Sequence, residues 1–182
     1  FPGFAAAIFY PIALGGVALI ACAISVFFVR GGSENKIMNI LYRGLGVSVI
    51  LSTAAFYPLT KIIMEGNGKY SAISLFYCAL VGMAVTIGMF IITDYYTGKN
   101  YGPVKAIAKA STTGHATNII TGLGIGMQST TMPVILITAG ILLSYSFGGL
   151  YGVAIAVMSM LSLTAVVIAI DAPPELIVPE LW

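Results

Sequence analysis

From Ala110 to Ile170 the chain has no Asp, Glu, Lys or Arg, and this fixes the solvent before it fixes the fold. One bilayer crossing takes about 20 apolar residues, so the run suits two crossings plus a helical extension outside the lipid. Lipid offers backbone N–H and C=O groups no partners, so apolar runs of this length must cross as helices that satisfy themselves. Phe147-Gly148-Gly149 divides the run and predicts helices over about 117–146 and 150–170. The first of these, at about 30 residues, exceeds the bilayer thickness, so part of it projects into water or tilts. Pro133 follows Ser129, Thr130 and Thr131 and predicts a kink whose freed carbonyls those hydroxyls can take up.

The rest of the chain repeats the pattern. Charge-free or nearly charge-free runs over about 8–29, 44–64 and 70–93 predict three earlier spans, with Pro11 in the first turns of one and Pro58 near the far end of another. Lys61 sits about a turn from its boundary and can snorkel to the interface. Overall 59% of residues are hydrophobic and 8% charged, against about a quarter charged in a water-soluble domain, which excludes that class. The fold class is therefore an all-α membrane protein of about five transmembrane helices. Residues 1–172 form its membrane domain and 173–182 a divergent C-terminal tail. A net charge of +2 is too small to suggest nucleic acid as a partner. Cys22 and Cys78 lie inside apolar runs and read as small buried hydrophobes, with a disulfide or metal pair as the alternative.

The connections set the orientation. Arg30, Lys36 and Arg43 fall in the first loop, where Ile37, Met38, Ile40 and Leu41 suggest a short interfacial helix. Lys99, Lys105 and Lys109 fall in the third, only Lys69 in the second, and no charge in the fourth. By the positive-inside tendency the first and third loops face the cytoplasm. In the third loop Tyr95, Tyr96 and Tyr101 have interfacial depth, and Pro103 opens a short helix over 104–110.

Small residues recur at every fourth position, at Gly122, Gly126 and Thr130, then Gly140, Ser144, Gly148, Gly152 and Ala156. In lipid such a stripe lets helix backbones approach closely, so Gly122, Gly126, Gly140, Gly148 and Gly152 are expected to be packing positions; a binding groove is the other reading. His115 reads as a helix-terminus or hydrogen-bonding residue, with a proton relay as the alternative, and Asn118 as a helix–helix hydrogen bond. No span carries an ionisable group near its centre, as an ion pathway requires. The six scattered acidic residues form no cluster for a magnesium phosphate. No residue is assigned a catalytic, cofactor-binding or metal-ligating role.

One series of motifs points further. It comprises Asp94-Tyr95-Tyr96-Thr97, Tyr101-Gly-Pro103-Val104, Ile107-Ala-Lys-Ala-Ser111, Thr113-Gly-His-Ala-Thr-Asn118, and Gly122-Leu-Gly-Ile-Gly126 with Ser129-Thr130. Leu150-Tyr151-Gly152 and Met160-Leu161-Ser162 continue it. The series resembles the membrane-bound, ion-translocating inorganic pyrophosphatases, specifically from about Asp94 to Ala172 and loosely before that. Asp94 stands where the family usually has Glu. The resemblance implies a bundle of about sixteen helices per subunit, usually dimeric, that couples magnesium-dependent pyrophosphate hydrolysis to export of H+ or Na+. This chain would supply five helices from its middle, in a bacterial plasma membrane or an acidic-compartment (vacuolar) membrane. Its partners would be the bilayer, the remaining helices of the parent pump and the pyrophosphate substrate.

The resemblance also implies that Mg2+ is held by aspartate motifs outside this chain, and that Asp171 lies near the hydrolytic centre. After Asp171-Ala172 the family continues Tyr-Gly-Pro and then Asp-Asn-Ala-Gly-Gly, whereas this chain has Pro173-Pro174-Glu175 and ends at Trp182. A truncation, a frameshift or a split gene would give that ending, and the start at Phe1 reads as the interior of something longer. The expectation is an internal piece of a pyrophosphate-energised ion pump, inactive by itself. The alternative is a non-enzymatic integral membrane subunit, a scaffold helix bundle; a small channel fits poorly because the spans lack polar stripes.

Overall fold

Helices in lipid persist until something removes an N–H or forces an unusual φ, and the breaks in this chain follow those events. The computed structural model describes residues 4–28, 37–64 and 71–162. Six helices follow in order: α1 (Phe4–Phe28), α2 (Ile37–Met64), α3 (Ala72–Thr97), α4 (Gly102–Ser111), α5 (His115–Ser129) and α6 (Thr131–Ser162). Among the described residues there is no strand. The loop residues Arg30 and Lys36, the second loop's 65–69, the end of the fifth predicted span, Asp171 and the tail 173–182 lie outside the described residues.

Four stretches are long and apolar enough to cross a membrane: Ala6–Ser25, Tyr42–Met64, Ala72–Ser111 and His115–Leu161. The last divides again. Gly149 has φ 59° and ψ −151°, a conformation essentially confined to glycine. Beyond it, the Ser144 carbonyl oxygen lies 2.6 Å from where a Cβ on Gly152 would stand. In a continuous helix residues eight apart are separated by about 12 Å along the axis, so the chain turns back on itself at Gly149. The two arms are 131–148 and 150–162, so the break falls at the Phe147-Gly148-Gly149 triplet, while the helix expected over about 117–146 is divided between α5 and the first arm.

The described residues form two compact units, one of residues up to Met83 together with those from Leu143, the other Ala84–Leu142. In the first, α1 and α2 pair antiparallel. Tyr10 meets Thr60 at 2.7 Å, and twelve residues further along α1, Cys22 meets Ser48 at 3.2 Å, twelve residues back along α2. Tyr10, Leu14, Ala18 and Cys22 on one helix and Ser48, Ser52, Phe56 and Thr60 on the other recur every fourth residue, so each set forms one buried stripe. Small and hydroxylated members of the stripe allow the close approach that packing in lipid requires. The Thr60 hydroxyl donates to the Phe56 carbonyl, which leaves the Tyr10 hydroxyl as donor to Thr60.

Leu75, Cys78, Ala79 and Met83 of α3 and Ile155 of α6 complete this core. The Cys78 thiol points at the Ser144 carbonyl from 3.6 Å and fills the space that side chains on Gly148 and Gly152 would take. Ser159 donates to the Ala79 carbonyl at 2.7 Å. A Cβ on Gly82 would collide with the Ala156 carbonyl, so glycine there sets how closely two backbones approach.

Two boundaries differ from the sequence expectation, each for a visible reason. α2 begins at Ile37 and runs on through the segment expected to be a separate interfacial helix, since no proline interrupts 37–44. α1 begins at Phe4, which moves Pro11 beyond the first turn, where its missing N–H leaves the Ala7 carbonyl without an intrahelical donor. The Tyr151 hydroxyl supplies one, donating to the Ala7 carbonyl at 2.9 Å.

Candidate functional site

The motif series from Asp94 to Thr130 falls on the second unit, around the polar connection between α3 and α5. α3 stays helical through Asp94, Tyr95 and Tyr96 and ends at Thr97. The Thr93 and Thr97 hydroxyls each donate one turn back, to Met89 and Thr93. Gly98 then closes the helix, its N–H donating to the Asp94 carbonyl at 2.8 Å. A Cβ at Gly98 would stand 2.8 Å from both that oxygen and the Tyr101 ring. Glycine is therefore what lets Tyr101 fold in against Tyr95, ring centroids 5.4 Å apart, while Tyr95 meets Tyr96 edge to face at 5.2 Å.

Tyr101 is the N-cap of α4, with extended backbone and no side-chain cap, and Pro103 starts the helix without wasting an N–H. Pro103, Val104 and Ile107 are part-buried, whereas Lys105 and Lys109, one turn apart, are exposed. At the other end the hydroxyls of Ser111, Thr112 and Thr113 donate at 2.7 Å to the carbonyls of Ala108, Lys109 and Ala110, which a helix C-terminus leaves unpaired. Gly114, at φ 145°, then turns the chain into α5. Thr117 fastens that turn through the Gly114 carbonyl at 2.8 Å and the Thr113 hydroxyl at 2.8 Å. The hydroxyls of Ser111, Thr112, Thr113 and Thr117 are spent on shaping a turn, while Lys99, Lys105 and Lys109 are exposed.

His115 is the first residue of α5 and is exposed. One turn on, the Asn118 side-chain oxygen is enclosed and has no hydrogen-bond partner among the described residues. The predicted packing glycines divide into two groups. Gly148 and Gly152 stand against Cys78, and Gly140 is buried. Gly122 and Gly126 face open space, on a helix with no buried residue and with Ile119, Ile120, Leu123 and Met127 about two-thirds exposed. Sequence reasoning missed Tyr151 as the partner of Ala7. Pro11 was the available signal that one carbonyl would need a donor, but nothing in the sequence said which helix would bring it.

The α5–α6 boundary falls at Thr130, three residues ahead of the kink expected at Pro133. α5 stops at Ser129, and the Ser129 and Thr130 hydroxyls donate to the Gly126 and Met127 carbonyls at 2.7 and 2.8 Å. Pro133 lies in the first turn of α6.

Magnesium takes six oxygens and is anchored by carboxylates together with substrate phosphates. Among the described residues Asp94 is the single carboxylate, and no three His, Cys, Asp or Glu side chains converge. These residues do not fit a magnesium site.

Similarity to known proteins covers the same ground. A family model described as inorganic H+ pyrophosphatase matches residues 3–173. A K(+)-insensitive pyrophosphate-energized proton pump of Methanosarcina mazei is 45% identical over 174 residues, which is 91% of this chain and 25% of that protein. A pyrophosphate-energized proton pump 2 of Mycoplana dimorpha is 41% identical over 179 residues, 94% of this chain and 86% of that protein. A K(+)-insensitive pump of Caldanaerobacter subterraneus is 41% identical over 179 residues, again 25% of its length. The chain thus spans about a quarter of the two K(+)-insensitive relatives.

Proposed function

The chain belongs to the inorganic H+ pyrophosphatase family, and from that premise we propose that it forms consecutive inner spans of a pyrophosphate-energised proton pump. It is an integral, multi-pass membrane protein. The observation that carries the proposal is the 45% identity to the Methanosarcina mazei pump, sustained over 174 residues through spans and loop alike. The relatives' names favour protons over sodium as the exported ion.

In the intact pump, magnesium-dependent hydrolysis of pyrophosphate on the cytoplasmic side would use carboxylates outside the described residues, with Asp171 near that centre. The chain's own contribution is scaffold. The α1–α2 pair and the turn at Gly149 hold spans in register, and the lysine-bearing third loop faces the cytoplasm by its charge. Gly122 and Gly126 give close access to a helix from the rest of the pump, which also pairs into a homodimer.

The test is a chimera. The matched quarter of the Methanosarcina mazei pump is exchanged for this chain, and inverted vesicles are assayed for pyrophosphate hydrolysis and acidification. Both activities are expected to survive, whereas this chain alone in liposomes with magnesium and pyrophosphate releases no phosphate above blank. A chimera that inserts normally yet does neither would overturn the reading and favour a non-enzymatic membrane subunit.

A further inference from the structure

The end of α3 and the start of α4 fix a depth. Counted from Ala72, the hydrocarbon layer of about 30 Å takes about 20 helical residues. That brings Tyr95 and Tyr96 to headgroup level, where tyrosine rings gather. Because the Tyr101 ring lies 5.4 Å from Tyr95, α4 opens at that same level and not in bulk solvent. Its first backbone bond, Lys105 N–H to the Tyr101 carbonyl at 3.2 Å, sets Lys105 one turn along, and Lys109 follows on the same side. Both lysines are exposed, as is Lys99, while Pro103, Val104 and Ile107 are part-buried. Residues 98–114 contain no Asp or Glu, and Asp94, the nearest carboxylate in sequence, is part-buried.

We propose that Lys99, Lys105 and Lys109 form a docking surface for the anionic phospholipid headgroups of the bilayer that the chain spans. Charge complementarity selects this occupant. Three ammonium groups with no carboxylate among them stand beside the plane of lipid phosphates, where each lysine adds its own attraction to an anionic leaflet. A free phosphate offers the same oxygens. A small anion, however, needs donors that converge on one point, and these three lysines are spread along an exposed loop and helix, which suits a plane of headgroups. The proposal does not depend on the pump reading and is read without any activity.

The full chain is placed in nanodiscs of phosphatidylcholine alone or with about one-third phosphatidylglycerol, and its lysines are labelled with a membrane-impermeant amine reagent and mapped by peptide mass. Labelling of Lys105 and Lys109 is expected to slow roughly three- to tenfold in the anionic discs. The protection is expected to vanish near 1 M salt, where the screening length falls to about 3 Å. The K105Q/K109Q variant is expected to retain less phosphatidylglycerol on native mass spectrometry than the unaltered chain. Equal labelling rates in the two discs overturn the proposal. So does protection by pyrophosphate in neutral discs that equals or exceeds the effect of phosphatidylglycerol, since that marks a site for a soluble anion.

Discussion

The Tyr151 hydroxyl donates to the Ala7 carbonyl at 2.9 Å, and Ala7 is the residue whose carbonyl Pro11 deprives of its helical N–H. A residue in the second arm of α6 thus completes the backbone of α1. Tyr151→Phe is expected to cost about 1 kcal/mol, between the average for an interhelical bond in lipid and the cost of an unpaired buried carbonyl. In a Pro11→Ala background, where the backbone regains its N–H, the same change is expected to cost much less. Steric-trapping or detergent unfolding of the four variants measures the coupling, and additive effects would show that the two sites are independent.

Glycines in this chain are not equivalent, and two of them on neighbouring helices make the point. A Cβ on Gly82 runs into the Ala156 carbonyl, a backbone atom that can give way only if a helix moves, whereas one on Gly46 meets nothing within 4 Å. Gly82→Ala is expected to destabilise by about 1–3 kcal/mol, as overpacking does. Gly46→Ala is expected to be neutral or to stabilise by up to about 1 kcal/mol, because alanine is the better helix former. The same unfolding assay compares them. Similar values for both would refute the close approach of α3 and α6 at Gly82.

At Gly149 the sign of a single substitution distinguishes two architectures. If α6 ran straight through, Gly149→Ala would stabilise a helix by about 1 kcal/mol. With φ 59° and ψ −151° and the chain turning back there, alanine is expected to destabilise by about 1–3 kcal/mol.

Much of this was legible beforehand, for a physical reason. Lipid leaves an apolar run no option except a helix, so the existence of the spans followed from the absence of charge, and the Phe147-Gly148-Gly149 triplet announced a break where glycine permits an unusual φ. Boundaries were less legible. Nothing between Ile37 and Gly44 forbids a helix, so α2 runs through the segment that Arg43 and Lys36 made look like a loop. Long-range partners were least legible of all. Cys78 looked like a generic small hydrophobe, and only the fold shows that it fills the space in front of Gly148 and Gly152. The pairing of Tyr10 with Thr60 required the α1–α2 register, which a local pattern does not carry.

Gly122 and Gly126 allow the packing proposal to be separated from the behaviour of the isolated chain. In this chain a Cβ at either position meets nothing within 4 Å, so Gly122→Leu and Gly126→Leu are expected to leave its unfolding unchanged within about 0.5 kcal/mol, as exposed substitutions do. In the Methanosarcina mazei chimera the same face would meet a helix from outside the chain, where a close backbone approach tolerates only small residues. There the substitutions are expected to lower pyrophosphate-driven acidification several-fold or block assembly, while the larger but lipid-compatible change Leu123→Phe on a neighbouring, already bulky position has little effect. Chimeras that carry leucine at both glycines and pump normally would show that this stripe faces lipid, and that the spacing at 122 and 126 reflects no helix contact.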